Sequence, residues 1–306
     1  MRHLILALGL QSLAGLVVWL VIAVVAVSVD TAALDLVTVL LLFGQLVVVP
    51  LGLLLVPASD LPVADAFFRG GRFLFRIGGV AAIVSVAIPR GELSAGVAAI
   101  YLVPALLVAA GSVLRVRAIR GPSDLAAVGA GISLLVGALL FVLHRQDVAF
   151  AGLPELGVQV GAVHFHFAGF GLVLMAGALA RRSPWLGAAA ACLLLGGTLL
   201  TPIGMLVGPA FRVVATAAVV AGLAALLVGT FPLLGDSRIP GAARRLLFVS
   251  IAFGLFVGAS AAWHVIGETI GTTSIDIGVM ARLHGTFAAI GVVFCGLLGW
   301  RLANRP

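Results

Sequence analysis

Lysine is absent from this chain, and acids are scarce: 11 aspartates and glutamates stand beside 18 arginines in 306 residues, so only 9% of the chain is charged. A soluble domain carries about 25% charged residues. So little charge cannot coat a surface that faces water, which excludes a soluble fold. The two cysteines, Cys192 and Cys295, fall inside apolar runs, where a free thiol packs as a small hydrophobe. No phosphate-binding loop, C-x-x-C pair or Ser-His-Asp order is visible. The net charge of +7 comes from arginines in short segments between apolar runs. That placement speaks for membrane topology and against a nucleic-acid partner.

What is present is apolar. Hydrophobic residues make up 62% of the chain, with a mean hydropathy of +1.28. About 20 apolar residues cross a bilayer core. Ten such runs are expected as helices: 8–28, 34–57, 71–89, 93–114, 124–144, 158–180, 184–204, 210–233, 246–266 and 278–300. The fold class is therefore all-α, a polytopic membrane helix bundle. The run from Leu4 to Val29 is too long for a signal peptide and no A-x-A site follows, so it reads as an uncleaved first span. Pro50 and Pro104 fall inside spans, where neighbouring helices can satisfy the carbonyls they free.

Arginine sets the orientation. With the N-terminus in the cytoplasm, only Arg90, Arg145, Arg212 and Arg282 fall outside, and the other fourteen fall inside. This positive-inside bias favours an even number of spans with both termini cytoplasmic. Trp185 and Trp300 at inner ends, and Trp263 at an outer end, read as interfacial anchors.

Five of the six histidines then share one layer. His144 and His264 end the fifth and ninth spans; His164 and His166 open the sixth and His284 the tenth, all in the extracytoplasmic half. His3 reads as a solvated terminal residue. An ionisable group in hydrocarbon costs at least about 2.5–3.5 kcal/mol. One histidine near a helix end reads as a hydrogen-bonded interfacial residue, but the group, sharing one depth, points to a site. His144 and His264, and likewise His164 and His284, are 120 residues apart. The same offset carries Phe167, Ala168, Gly171 and Val173 onto Phe287, Ala288, Gly291 and Val293, and the Gly121-Pro122 turn onto Pro240-Gly241. Two parallel four-helix repeats are expected, spans 3–6 (70–182) and 7–10 (184–302). They follow two N-terminal spans (1–60), all within one integral membrane domain, 1–306.

A two-fold repeat would gather His144, His164, His264 and His284 as metal ligands around one axis. Imidazoles suit Zn, Fe or Cu, and bis-histidine haem is an alternative. Asp147, three residues after His144, and Glu268, four after His264, share a helix face with them and could accept the second ring N–H. Glu268 could also act as a catalytic proton acceptor. His166 lies about 200° round the helix from His164 and has Thr286 as its counterpart, so a separate catalytic role, in substrate contact or proton transfer, is expected for it. Gln11, Gln45 and Gln159 read as interhelical hydrogen bonds. Asp30, Asp35, Glu92, Glu155 and Asp276 read as solvated, Phe165, Phe167 and Phe170 as core, and Arg282 as snorkelling to water.

The segment His164-Phe165-His166-Phe167-Ala168-Gly169-Phe170 resembles a histidine motif of the YndJ-like family of bacterial membrane proteins, and Arg282-Leu283-His284-Gly285 is similar to a second motif of that family. The resemblance implies a multi-span protein, commonly labelled a transporter, and leaves the substrate open. The expectation is a polyhistidine site that binds a metal or haem and acts on a small or lipid-soluble substrate, with membrane lipid as the surrounding partner. The alternative is a multi-pass transporter or proton-coupled carrier whose histidines titrate or bind substrate. The sequence does not decide between enzyme and transporter, and it leaves the oligomeric state open.

Overall fold

The computed structural model describes residues 2–29, 34–148, 150, 152–153, 155–272 and 277–304. The expectations for Asp30, Asp276 and Arg305, and for the side chains of Arg2 and His3, lie outside the described residues. Ten apolar helices appear where ten runs were expected: α1 (Arg2–Val29), α2 (Leu36–Gly52), α3 (Pro62–Ala87), α4 (Glu92–Arg115), α5 (Pro122–Gln146), α6 (Glu155–Ala180), α7 (Pro184–Val207), α8 (Pro209–Thr230), α9 (Gly241–Ile270) and α10 (277–303). Among the described residues, nine are long and apolar enough to cross a membrane, and α2 is shorter. At 1.5 Å per residue α2 reaches only about 25 Å, against a hydrocarbon core of about 30 Å.

Proline starts α3, α5, α7 and α8, where its missing N–H costs no hydrogen bond. The α3–α4 and α7–α8 turns each pass through a glycine at positive φ, Gly91 (137°) and Gly208 (134°). Two sequence expectations are corrected. α3 begins at Pro62 rather than 71, so Arg69, Arg72 and Arg76 lie within the helix. They share its exposed face at a spacing of three and four, and their long side chains let a charged helix end continue past the bilayer. Trp300 is fully buried and is no interfacial anchor, whereas Trp185 and Trp263 are exposed as expected.

The centre of the bundle is a parallel trio, α2, α6 and α10. Every residue from Thr38 to Leu53 and from Phe165 to Ala180 is buried. Matched neighbours show the shared direction. Thr38 meets Gln159, Gly44 packs on His166 and Phe167, and Gly52 on Phe170 and Leu174. On the other side Leu40 meets Gly285, and Gly171 meets Val293. A methyl added at Gly52 would lie 2.6 Å from Phe170 Cε1, so this glycine is what allows the approach.

Each trio helix also widens into π-helical turns: Gly44–Val48 in α2, Phe165–Leu172 in α6, and Ala281–Gly285 and Phe287–Phe294 in α10. These segments touch one another in all three pairs. π turns are rare and concentrate at functional sites. In α2 the widening comes just before Pro50, whose ring cannot donate to Leu46 O.

Arginines bind the two ends. At one end, Arg301 donates to Leu54 O (2.7 Å), Arg181 to Leu55 O (3.3 Å) and Arg115 to Pro57 O and to Asp65 (3.0 Å). Three helix ends thus hold the chain leaving α2, where carbonyls lack helical donors and cations are favoured. At the other end Arg145 is buried and donates to Ser94 Oγ (2.8 Å), Ser85 O (2.9 Å) and Ile88 O (2.7 Å). It ties α5 to the α3–α4 turn.

Candidate histidine site

His166 is fully buried where α4, α5 and α6 meet. Its Nδ1 lies 2.7 Å from Ala162 O, four residues back. A carbonyl only accepts, so Nδ1 carries the proton and Nε2 is the acceptor. The Tyr101 hydroxyl, at 3.1 Å, then donates to Nε2. Tyr101 is the only tyrosine in the chain and is itself buried, ringed by Phe75 (5.3 Å) and Phe141 (6.1 Å). Gly137 of α5 makes room, since a methyl there would sit 2.7 Å from Nδ1. Both nitrogens are therefore spent within the protein. The expected separation of His166 from His164 is seen, and its partner is Tyr101.

His284 is bound to α9. Its Nδ1 lies 3.0 Å from Ser260 Oγ, while the Ser260 hydroxyl points to Val257 O at 3.0 Å. Serine has one proton to give and spends it on Val257. With that proton directed at Val257 O, His284 Nδ1–H donates to Ser260 Oγ and Nε2 keeps its lone pair; the ring also interacts with the Val257 carbonyl. His164 lies within electrostatic reach of His284, with its ring edge-on to Phe165 at 6.5 Å. Its Nε2 is buried and has no hydrogen-bond partner among the described residues.

His264 in turn lies within electrostatic reach of His284. Its Nε2 stands 3.8 Å from Glu268 Oε1, an ion-pair separation longer than a hydrogen bond. The other carboxylate oxygen of Glu268 accepts from Arg212 at 2.8 Å. Taken pairwise, His164 and His284, His284 and His264, and His264 and Glu268 interact, a row of electrostatic neighbours whose last member shares a half-exposed ion pair with Arg212.

His144 belongs to a different group. It is buried, its Nδ1 has no partner among the described residues, and the charges nearest it are Arg90, Arg145, Asp35 and Asp147. The expected bond from Asp147 is not made. Asp147 takes a left-handed conformation (φ 63°) that ends α5, and its carboxylate pairs with Arg90 at 3.3 Å. Arg90 also pairs with Glu155, so neither acid is merely solvated. Among the described residues, no three of His, Cys, Asp and Glu converge where a metal ion could sit.

Sequence reasoning missed three participants. Tyr101 was signalled only by being the single tyrosine, and Ser260 by nothing in its neighbourhood. Asp35 caps α2, accepting from Thr38 N at 2.6 Å, and also accepts from Gln159 Nε2 at 3.2 and 3.3 Å. The Asp-x-x-Thr spacing before an apolar run was its signal. Gln159 makes the interhelical bond expected of it. Gln45, in the π turn of α2, has no partner for either amide atom among the described residues. Cys192 and Cys295 are free.

Among the described residues, seven apolar helices around a buried trio define a multi-pass membrane protein of all-α class. A sequence-family model described as YndJ-like protein matches residues 39–292, a span that includes all five membrane histidines. The chain belongs to the YndJ-like family. Neither a curated protein nor a solved structure matches it.

Proposed function

We propose that this YndJ-like protein holds a small or lipid-soluble substrate on the imidazoles of His164 and His284, in the extracytoplasmic half of a bacterial plasma membrane. The observation that carries the reading is a pair of open nitrogens. His164 Nε2 is buried without a partner among the described residues, and Ser260 leaves the lone pair of His284 Nε2 available. A bare buried polar atom costs about 1–3 kcal/mol, which a ligand hydrogen bond recovers. His264 and Glu268 continue the row toward Arg212, and we assign them proton exchange with water. The arginine bias supports a histidine end that faces outward and two cytoplasmic termini.

The same bare nitrogen favours a second reading, in which His164 and His284 hold Zn, Fe, Cu or haem iron. Two imidazoles leave positions open to exogenous ligands, and His144 and His264 would act outside that pair.

Elemental analysis and a visible spectrum of the purified protein, beside His164→Ala/His284→Ala, separate the two. Near-stoichiometric metal or a haem band, lost in the variant, establishes the metal reading. A colourless protein that stays metal-free after reconstitution removes it. pH-dependent flux into proteoliposomes, abolished by His164→Ala, then supports substrate binding. Flux indifferent to both substitutions overturns it.

A further inference from the structure

A second place in the same half of the bundle has the form of a binding site. A cavity of about 660 Å³ lies between α1, the start of α2, and α10. Its walls include Trp19, Ala23, Asp35, Val39, Thr286 and Ile290. That volume is in the range of sites that take small organic molecules. Its lining includes neither His164 nor His284, so it stands or falls apart from the histidine reading.

The cavity follows from how α1 meets the trio. α1 comes closest at Gly15, which faces the Leu46 carbonyl; any side chain there would overlap that oxygen. One turn further on, Trp19 is fixed by donating Nε1–H to Val39 O at 2.8 Å and by packing on Phe43 at 4.6 Å. Past Trp19 the facing side chains of α1 are small, Ala23 and Ala26, and the helices part into a cleft. From Trp19 to Val27 the cleft runs roughly 12 Å at 1.5 Å per residue. Its floor and sides are apolar. Among the described residues, the one charged group on its wall is the carboxylate of Asp35, held from behind by the buried Gln159 and Thr38. The Thr286 hydroxyl is the other polar side chain of the lining.

We propose that this cleft binds a lipophilic amphiphile whose hydrocarbon lies against Trp19, Ala23 and Ile290 and whose cationic, hydrogen-bond-donating head meets Asp35. Charge complementarity selects an ammonium head over a hydroxyl, and a hydroxyl over a carboxylate. Apolar burial holds the chain, at about 0.8 kcal/mol for each methylene removed from water.

Trp19 is a built-in reporter. In the full-length protein with Trp185→Phe and Trp263→Phe, brominated single-chain amphiphiles of equal length are titrated, carrying an amine, an alcohol or an acid. Trp300, buried elsewhere, stays as an internal reference. The expected result is saturable quenching by the amine, weaker by the alcohol and weakest by the acid. Asp35→Asn keeps a good helix cap while removing the charge. It should weaken the amine at least tenfold and leave the alcohol within threefold. Ala23→Leu/Ala26→Leu should abolish saturation. Equal, non-saturating quenching by all three probes would overturn the proposal and leave the cleft as bulk lipid contact. Tightest binding of the acid, or an amine affinity unchanged in Asp35→Asn, would overturn it as well.

Discussion

Gly15 of α1 faces the carbonyl of Leu46, the oxygen to which Pro50 has no N–H to give. A proline that leaves a carbonyl short of its helical donor and a glycine that lets a second backbone approach it are thus one feature built from two distant residues. Gly15→Ala should destabilise the protein by about 1–3 kcal/mol through forced separation of the helices. Gly96→Ala, on α4 with nothing near its added methyl, should be neutral or stabilise by about 0.5–1 kcal/mol. Thermal melts of the two variants in one detergent check the contrast. Equal effects would show that the Gly15 contact carries no weight.

The tautomers of His166 and His284 follow from their partners. Both should carry the proton on Nδ1. Nitrogen NMR on protein labelled at histidine reads this directly, and a proton on Nε2 of either ring would contradict the bonding described. Tyr101→Phe removes the donor to His166 Nε2 and leaves a buried acceptor bare, at a cost of about 1–3 kcal/mol. The His166 signal should move in that variant while those of His164 and His284 stay in place.

Arg145 reaches two carbonyls and a hydroxyl from two separate nitrogens of one flat guanidinium, a spread that the single nitrogen of an ammonium does not reproduce. Arg145→Lys should therefore lose most of what Arg145→Ala loses, about 2–4 kcal/mol. Full recovery of the melting temperature by lysine would show that charge alone suffices there.

The pair Arg212 and Glu268 is half-exposed, so Arg212→Gln should change stability by less than about 1 kcal/mol. If the row from His164 to Glu268 exchanges protons with water, the same substitution should slow proton-coupled flux severalfold. An unchanged flux would place the exit elsewhere.

The ten helices were legible in composition alone, because runs of about 20 apolar residues between arginine-bearing loops have few other readings. The end of the bundle at which the histidines fall in each helix was legible for the same reason. What could not be read was lateral position. α2 is as apolar as α1, yet one is wrapped on all sides and the other largely faces outward. The difference lies in which glycines, such as Gly44 and Gly52, meet which rings. π turns leave no hydrophobic period, since every face of a buried helix is apolar. The four-histidine ring was inferred from depth and spacing. His144 instead lies among Arg90, Arg145, Asp35 and Asp147, and the role of Asp35 as a cap was hidden by treating it as a loop residue. Trp300 was placed by its proximity to a helix end, a rule that holds only for helices at the rim.

The three helices at the centre come from the beginning, middle and end of the chain. During synthesis α2 leaves the ribosome more than 200 residues before α10. At roughly 5–20 residues per second it waits on the order of ten to fifty seconds for its last neighbour. Until then the face of α2 at Phe43, which later meets Phe294, needs another cover. The centre is thus the last part of the molecule to be finished, and a chain that stops before α10 lacks a wall of its own interior.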